Sequence, residues 1–112
     1  MKSPQIKAVI KEVGKSPRVE EIENELSTMQ GLVGGYIEAV NAGQGICLVC
    51  NEEGKLNGLP PNFPIGRDVI VGTAVFTSYG KDGEFNDLTD EQIAVVMRFF
   101  EGGKNEKAQI EC

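Results

Sequence analysis

Hydrophobic and polar residues alternate near the start of the chain, and this period of two is typical of a half-buried strand. Over residues 6–13, the apolar Ile6, Ala8 and Ile10 share one face and lysines lie on the other. A turn sequence containing glycine, serine and proline follows. Residues 18–22 then predict either a short second strand or the extended approach to a helix.

A first helix is expected next, with Asn24 as its N-cap. Its apolar residues recur at spacings of three and four, the period of one helical face. They are Leu26, Met29, Leu32 and Val33. A left-handed glycine is expected to end the helix at Gly34-Gly35. Residues 36–50 then predict a hairpin of two strands joined by a long, glycine-containing loop.

The middle of the chain loses this regular pattern. Residues 51–54 form a turn sequence, and residues 55–57 are expected to return briefly along the previous strand. Residues 58–66 contain three prolines and two glycines. They predict a stiff, largely extended loop that cannot join a sheet and is a candidate binding surface. Residues 68–77 predict a central strand, with Gly72 marking a bulge or a close contact.

A second helix is predicted after residue 88. Thr89 and Gln92 have the spacing of a capping box. The apolar stripe that follows consists of Ile93, Val96, Met97 and Phe100. Gly102-Gly103 is expected to close the helix, and residues 104–112 are polar enough for a frayed tail.

The order of these elements predicts one α+β domain over residues 1–103, followed by the tail. It suits a mixed or mainly antiparallel sheet of four to five strands with two helices packed on it. We expect these elements to form two layers. A chain of 112 residues has room for one hydrophobic core of this kind.

The charge of the chain argues against nucleic acid as a direct partner. Seventeen acidic and eleven basic residues give a net charge of −6, so the average field repels phosphate backbones. The N-terminal residues lack an apolar signal region, and no stretch approaches the roughly 20 apolar residues that span a bilayer. We therefore expect a cytoplasmic protein that does not bind membranes.

The chain contains no histidine, which excludes histidine-dependent catalytic triads and removes the commonest metal ligand. Cys47 and Cys50 have the C-x-x-C spacing, but they lie in an apolar strand, where their side chains point to opposite faces. The distant Cys112 leaves a zinc site incomplete. We therefore expect no catalytic residue, no metal and no cofactor. A cysteine-dependent enzyme that uses Cys47 or Cys50 is the less favoured alternative.

A polar set around the proline-rich segment is the candidate ligand site. It consists of Tyr36, Asn57, Asn62, Arg67 and Thr73, with Asp68 beside them. Amides, a guanidinium and an aromatic ring can hydrogen-bond to and stack on a small nucleotide-like ligand, and none of them is suited to breaking a bond. The alternative is structural, because asparagines commonly cap loop backbone and Arg67 can pair with surface acids.

Four segments of the chain resemble one family, the domain of unknown function 3846. They are residues 33–38 (VGGYIE), 51–62 (NEEGKLNGLPPN), 68–74 (DVIVGTA) and 88–91 (LTDE). The similarity runs from about residue 6 to residue 100. The resemblance implies a small protein of bacteria, phages or mobile elements, often encoded near antirestriction genes, with no assigned activity. Residues 63–66 depart from the family pattern, and ligand choice would differ from that of relatives if they shape a pocket.

The leading hypothesis is a non-enzymatic accessory protein of a phage or mobile element with an anti-defence role. It would sequester a small nucleotide-like ligand near residues 57–73. The alternative is an acidic protein-protein interaction module that blocks a host defence protein. Open sheet edges in a chain of this size also lead us to expect a homo-oligomer.

Overall fold

The computed structural model describes residues 5–80 and 84–101. They form two helices, α1 (Leu26–Val33) and α2 (Asp90–Glu101), and eight strands. The strands are β1 (Gln5–Lys11), β2 (Arg18–Glu23), β3 (Ile37–Asn41), β4 (Ile46–Asn51), β5 (Pro61–Ile65), β6 (Asp68–Val71), β7 (Ala74–Tyr79) and β8 (Phe85–Asn86). The predicted α+β class is confirmed, and residues 18–22 belong to a strand.

Six strands form one antiparallel sheet. Five of them follow the order β2-β1-β7-β4-β3, and the short β8 pairs with β7. In this register Phe76 of β7 faces Val9 of β1 on one side and Leu48 of β4 on the other. β7 is therefore central and contains residues 74–77 of the central strand predicted over 68–77. The sheet is slightly larger than the four to five strands expected.

The two faces of this sheet are each covered by one helix. The core between the first face and α1 consists of Ile6, Ala8, Ile10, Ile22, Cys47, Val49 and Val75 from the sheet and Met29 and Val33 from α1. The second face, under α2, buries Val9, Ile46, Leu48, Cys50, Phe63, Ile65, Ile70, Phe76, Val96 and Phe99, among others. The helices therefore form three layers with the sheet, where two were expected. The reason is visible in β4, whose six residues are all buried, so that both of its faces need a cover.

The proline-rich segment forms a strand, so the expectation of a loop that cannot join a sheet was wrong. β5 pairs with β6 in a separate two-stranded hairpin, where Pro64 faces Val69 and Ile65 faces Asp68. Proline is tolerated because each strand of a two-stranded ribbon is an edge strand. Phe63 and Ile65 lie on either side of the exposed Pro64 and are buried on the second face.

The strand predicted over residues 68–77 is divided at Gly72. Its φ of 74° lies in the left-handed region, and a Cβ there would come within 2.7 Å of the Leu59 Cδ1 atom. Both the backbone angle and the close contact favour glycine. The residues before this bend belong to the small hairpin, and those after it belong to the main sheet.

Two further local predictions need correction. The N-cap of α1 is Glu25, which makes no side-chain cap hydrogen bond, rather than Asn24. The Asn24 amide instead donates to the Phe85 carbonyl at 3.2 Å and joins the start of α1 to β8. Residues 55–57 lie in a turn and not in a strand, because hydrogen bonds here run to carbonyls three and four residues back.

The second helix begins with the predicted capping box. The Gln92 N–H donates to the Thr89 hydroxyl at 3.1 Å, and the Thr89 N–H donates to the Gln92 side-chain oxygen at 3.0 Å. The expected helix end at Gly102-Gly103 and the expected tail over 104–112 lie outside the described residues. Neither described helix is long and apolar enough to cross a membrane.

Candidate functional site

Two adjoining hollows meet at the C-terminal end of α1, and we call them together the α1 cleft. The first has a volume of about 340 Å³ and is lined by Gln30, Gly34, Gly35, Tyr36, Asn51, Glu53 and Asn57. The second has a volume of about 380 Å³ and is lined by Glu12, Val13, Leu32, Val33, Gly34, Leu59, Pro60, Gly72 and Thr73. Both volumes fall in the range of small-ligand pockets, roughly 300–1,000 Å³.

The end of α1 is fixed by a glycine and by one buried amide. Gly34 adopts a φ of 83°, and its N–H donates to the Gln30 carbonyl at 2.8 Å, which ends the helix as predicted. Asn51 donates from Nδ2 to the Val33 carbonyl at 3.1 Å and accepts the Glu53 N–H at 2.8 Å. This asparagine therefore joins the helix end to the turn that follows β4.

Asn51 also explains the glycine at position 35. A Cβ on Gly35 would lie 2.9 Å from the Asn51 Nδ2 atom, so a larger residue would displace the amide. Sequence reasoning missed Asn51 as a residue of the site. Its signal was a polar residue placed directly after the apolar run 46–50 and before an acidic turn, a position where a buried amide must find backbone partners.

The α1 cleft contains three of the five predicted site residues. Tyr36 and Asn57 line the first hollow, and Thr73 lines the second. Arg67 lies elsewhere, exposed in the turn between β5 and β6. Asn62 lies on β5 and lines neither hollow. The structure therefore brings together part of the predicted set.

Asn62 has structural partners. Its Nδ2 donates to the Lys11 carbonyl at 2.9 Å and to the Gly72 carbonyl at 2.7 Å, and its Oδ1 accepts from Lys11 Nζ at 3.0 Å. These bonds join β5 to the end of β1 and to the bend before β7. Burial lowers the pKa of Lys11, whose ammonium lies 5.8 Å from the Phe100 ring centroid. The structural alternative, asparagine as a cap of loop backbone, describes Asn62.

Two carboxylates line the α1 cleft, and one of them is neutralised by cations beside it. The charged lining residues of the cleft are Glu12 and Glu53, and no described lysine or arginine lines either hollow. Glu12 pairs with Arg18 at 2.9 Å and with Lys15 at 3.4 Å, and the hydrogen bond from Arg18 lowers its pKa. The helix C-terminus adds partial negative charge. The first hollow, which is lined by Glu53 and the C-terminal end of α1, therefore favours hydrogen-bond donors and cationic groups over phosphates.

A third hollow of about 290 Å³ lies on the second face, between β6 and the β3-β4 pair. Its lining includes Glu38, Val40, Cys50, Glu52, Lys55, Leu56, Asp68 and Val69. Lys55 forms an ion pair with Asp68, which lowers the pKa of that carboxyl. Leu56 is 87% exposed and Val69 is 41% exposed. Exposed apolar side chains rimmed by charge are a feature of protein-binding surfaces.

Cys47 and Cys50 are both buried and face opposite sides of the sheet, as their spacing predicts. Burial raises the pKa of the Cys47 thiol, and its hydrogen bond with Tyr79 raises the pKa of that phenol to about 12. The facing Thr77 hydroxyl is buried and has no partner of hydrogen-bond geometry among the described residues. A thiol with a raised pKa stays protonated at neutral pH, which disfavours a nucleophilic role.

Metal-binding side chains do not gather in the described part of the chain, where no group of three or more aspartates, glutamates or cysteines could hold an ion. Comparison with known proteins gives one family. The family described as Domain of unknown function (DUF3846) matches residues 6–101, a span that contains every described helix and nearly every described strand residue. No curated protein and no solved structure matches the chain.

Proposed function

The chain belongs to the DUF3846 family, and we propose that this member binds a small nucleotide-like ligand in the α1 cleft, without chemical turnover. The base is the part of the ligand that the first hollow would recognise. Bases are planar, have π-faces that stack on aromatic rings, and carry donors and acceptors along their edges. The first hollow offers a group for each of these features.

The exposure of Tyr36 is the observation that carries this proposal. The ring is 67% exposed and lines the first hollow. Stacking of one base on such a ring contributes about 1–3 kcal/mol. Tyr36 follows Gly35, which packs against the hydrogen-bonded Asn51 amide. Its backbone is therefore held in place before a ligand arrives, which reduces the entropy lost on binding.

The polar side chains of the same hollow complement the edge of a base. Gln30 and Asn57 each offer donors and an acceptor, and the Glu53 carboxylate accepts from amino or ring N–H groups. Because the charged lining residues are acidic, a bound nucleotide would direct its phosphates toward solvent.

The residues that line the cleft support binding without turnover, because few of them could act as a nucleophile, acid or base. Cys47 and Cys50 are absent from its lining, and Glu53 is the one charged residue of the first hollow. General acid-base chemistry at a nucleotide needs groups of matched pKa on both sides of the reacting bond. The wider role that we propose is sequestration: a phage or mobile-element protein that holds a nucleotide signal lowers the free concentration available to host defence.

Calorimetric titration with nucleosides, nucleotides, cyclic nucleotides and ribose 5-phosphate tests this proposal. We expect at least one base-containing ligand to bind, and ribose 5-phosphate to bind much more weakly. The Tyr36→Ala variant should lose about tenfold in affinity, which corresponds to about 1.4 kcal/mol. The Tyr36→Phe variant keeps the aromatic face and should bind within a few-fold of the unmodified protein.

The matched control is Leu26→Ala. Leu26 is 58% exposed and lies at the opposite end of α1, so this change removes exposed apolar surface away from the cleft and should leave affinity unchanged. The proposal fails if none of these base-containing ligands binds, or if Tyr36→Ala binds as tightly as the unmodified protein.

The third hollow favours a second candidate function, an acidic module that blocks a host protein. Leu56 and Val69 expose apolar surface there, beside the carboxylates of Glu38 and Glu52. A complex formed through this surface would weaken as salt is added, whereas binding of a base in the α1 cleft would respond less. Leu56→Asp should abolish such a complex and leave nucleotide binding intact.

A further inference from the structure

β2 and β3 form the two edges of the main sheet, and they differ in charge. β2 carries Glu20, Glu21 and Glu23 among six residues, and charged side chains protect an edge against pairing with another chain. β3 carries one charged residue, Glu38, among five. β3 is therefore the less protected edge.

Hydrogen bonds at both ends of β3 show which of its backbone groups face outward. The Glu52 N–H donates to the Tyr36 carbonyl at 2.8 Å, and the Ala42 N–H donates to the Ile46 carbonyl at 2.8 Å. Facing residues of an antiparallel pair alternate between hydrogen-bonded and non-bonded positions. The even positions between Tyr36 and Ala42 therefore bond to β4, and the odd positions direct their N–H and C=O groups away from it.

These odd positions are Ile37, Ala39 and Asn41. We propose that β3 pairs in antiparallel fashion with β3 of a second copy of this chain, around a two-fold axis at Ala39. In this register Ala39 faces Ala39 of the second copy, and Ile37 faces its Asn41. Each facing pair exchanges two backbone hydrogen bonds, and the two sheets become one continuous sheet.

The side chains of β3 fit this pairing. Ala39 is small and exposed, so it meets its own copy without a steric clash. Glu38 faces Val40 of the second copy, so no charged residue lies opposite a like charge. The same symmetry applied to β2 around Glu21 would place that carboxylate opposite itself, which is destabilising. Charge therefore selects β3 over β2 as the self-pairing edge.

In the proposed dimer, part of the second copy lies beside the α1 cleft. Continued by one position, the register places Tyr36 beside Ala42 of the second copy, so the turn over residues 42–45 of that copy lies next to the first hollow. Only this contact depends on the proposed function. Dimer formation itself is measured without ligand, so failure of the dimer and failure of ligand binding can be told apart.

Sedimentation velocity over a range of protein concentrations tests the proposal. The expected species has twice the 12.1 kDa mass of one chain. Ala39→Lys sets two ammonium groups opposite each other at the axis and should give the monomer mass. Val19→Lys places the same charge on the β2 edge, at a residue that is 44% exposed, and should leave the dimer intact. Circular dichroism confirms that both variants are folded.

A cross-link tests the register. In a Cys50→Ala/Cys112→Ser background, which removes the native thiol that faces Glu38 from β4, the Glu38→Cys/Val40→Cys double variant should form a disulfide-linked dimer on mild oxidation. The reason is that non-hydrogen-bonded antiparallel partners lie about 4.5 Å apart between Cα atoms and have the closer side chains, within disulfide reach. Glu38→Cys alone, which faces Val40 rather than itself, should not. A monomer at every concentration, with the edge left for a strand of another protein, overturns the proposal. So does a dimer that withstands Ala39→Lys, or cross-linking that does not distinguish the two cysteine variants.

Discussion

The two faces of the sheet are covered in different ways. The second face holds four phenylalanine rings, with centroids of neighbouring rings 4.9 to 6.0 Å apart: Phe63, Phe76, Phe99 and Phe100. α2, with twelve residues, and the β5-β6 hairpin both contribute to it. The first face is covered by the eight-residue α1, which buries Met29 and Val33.

This difference separates stability from binding. Large aromatic side chains bury the most apolar area per residue, so the second face supplies much of the hydrophobic stabilisation. The short α1 ends above the sheet, and the space beyond its last turn is the α1 cleft. The proposed ligand site therefore lies on the thinly covered face, while the thickly covered face holds the sheet rigid beneath it.

Truncation of one phenylalanine ring should give the largest loss of unfolding free energy among these predictions. Phe63→Ala removes a ring that contacts three other phenylalanines and should cost about 4 kcal/mol of unfolding free energy. Met29→Ala, on the first face, should cost about 3 kcal/mol because a smaller side chain is lost. Urea unfolding monitored by circular dichroism measures both. If Met29→Ala costs more than Phe63→Ala, α1 rather than the aromatic cluster organises the core.

High pH should lower the unfolding free energy through Tyr79 and Cys47, which both lie on the first face. Tyr79 has a pKa near 12 in the folded protein against an ordinary value of 10.0, because it hydrogen-bonds to Cys47. The folded state thus holds this proton more tightly than the unfolded state does. The stability it confers is present below pH 10 and is lost as pH rises from 10 toward 12. The raised pKa of Cys47, ordinarily 9.0, acts in the same direction from pH 9 upward.

Phenolate absorbance in the Tyr36→Phe variant isolates this effect, because Tyr79 is then the only tyrosine of the chain. Its titration midpoint is expected near 12, and urea unfolding should become easier over the same interval. Adding Cys47→Ala removes the hydrogen bond that is the largest cause of the shift, so the midpoint should fall toward 10. An unchanged midpoint would show that the Cys47 thiol does not hold the phenol proton.

Local signals explain which elements the sequence predicts. The alternation over β1, the capping box of α2 and the glycine that ends α1 each depend on residues close together in the chain, and the structure confirms all three. The β5-β6 hairpin depends on distant residues. Phe63 is buried because Phe76 and Phe99 surround it, and no local pattern in a proline-rich segment reports that.

The candidate site shows the same limit. Tyr36 and Asn57 come together because the turn after β4 folds back toward the end of α1. Asn51 joins these two segments through its hydrogen bonds to the Val33 carbonyl and the Glu53 N–H. Residue type alone could not separate Asn57 from Asn62, whose amide bonds to backbone on two other segments. Spacing along the chain therefore identifies polar candidates, and long-range packing decides which of them line a cavity.

α2 has a side-chain cap at its N-terminus and α1 has none. Removing the first cap and adding the second should change the unfolding free energy least among these predictions. Thr89→Ala removes the side-chain acceptor for the Gln92 N–H in α2 and should lower the unfolding free energy by about 1 kcal/mol. Glu25→Ser gives α1 the cap that it lacks and should raise the unfolding free energy by about 0.5–1 kcal/mol. Urea unfolding of both single variants and the double variant measures these changes. They should add, because the capped ends belong to helices on opposite faces of the sheet. A non-additive result would mean that the two helix ends are energetically coupled through the sheet.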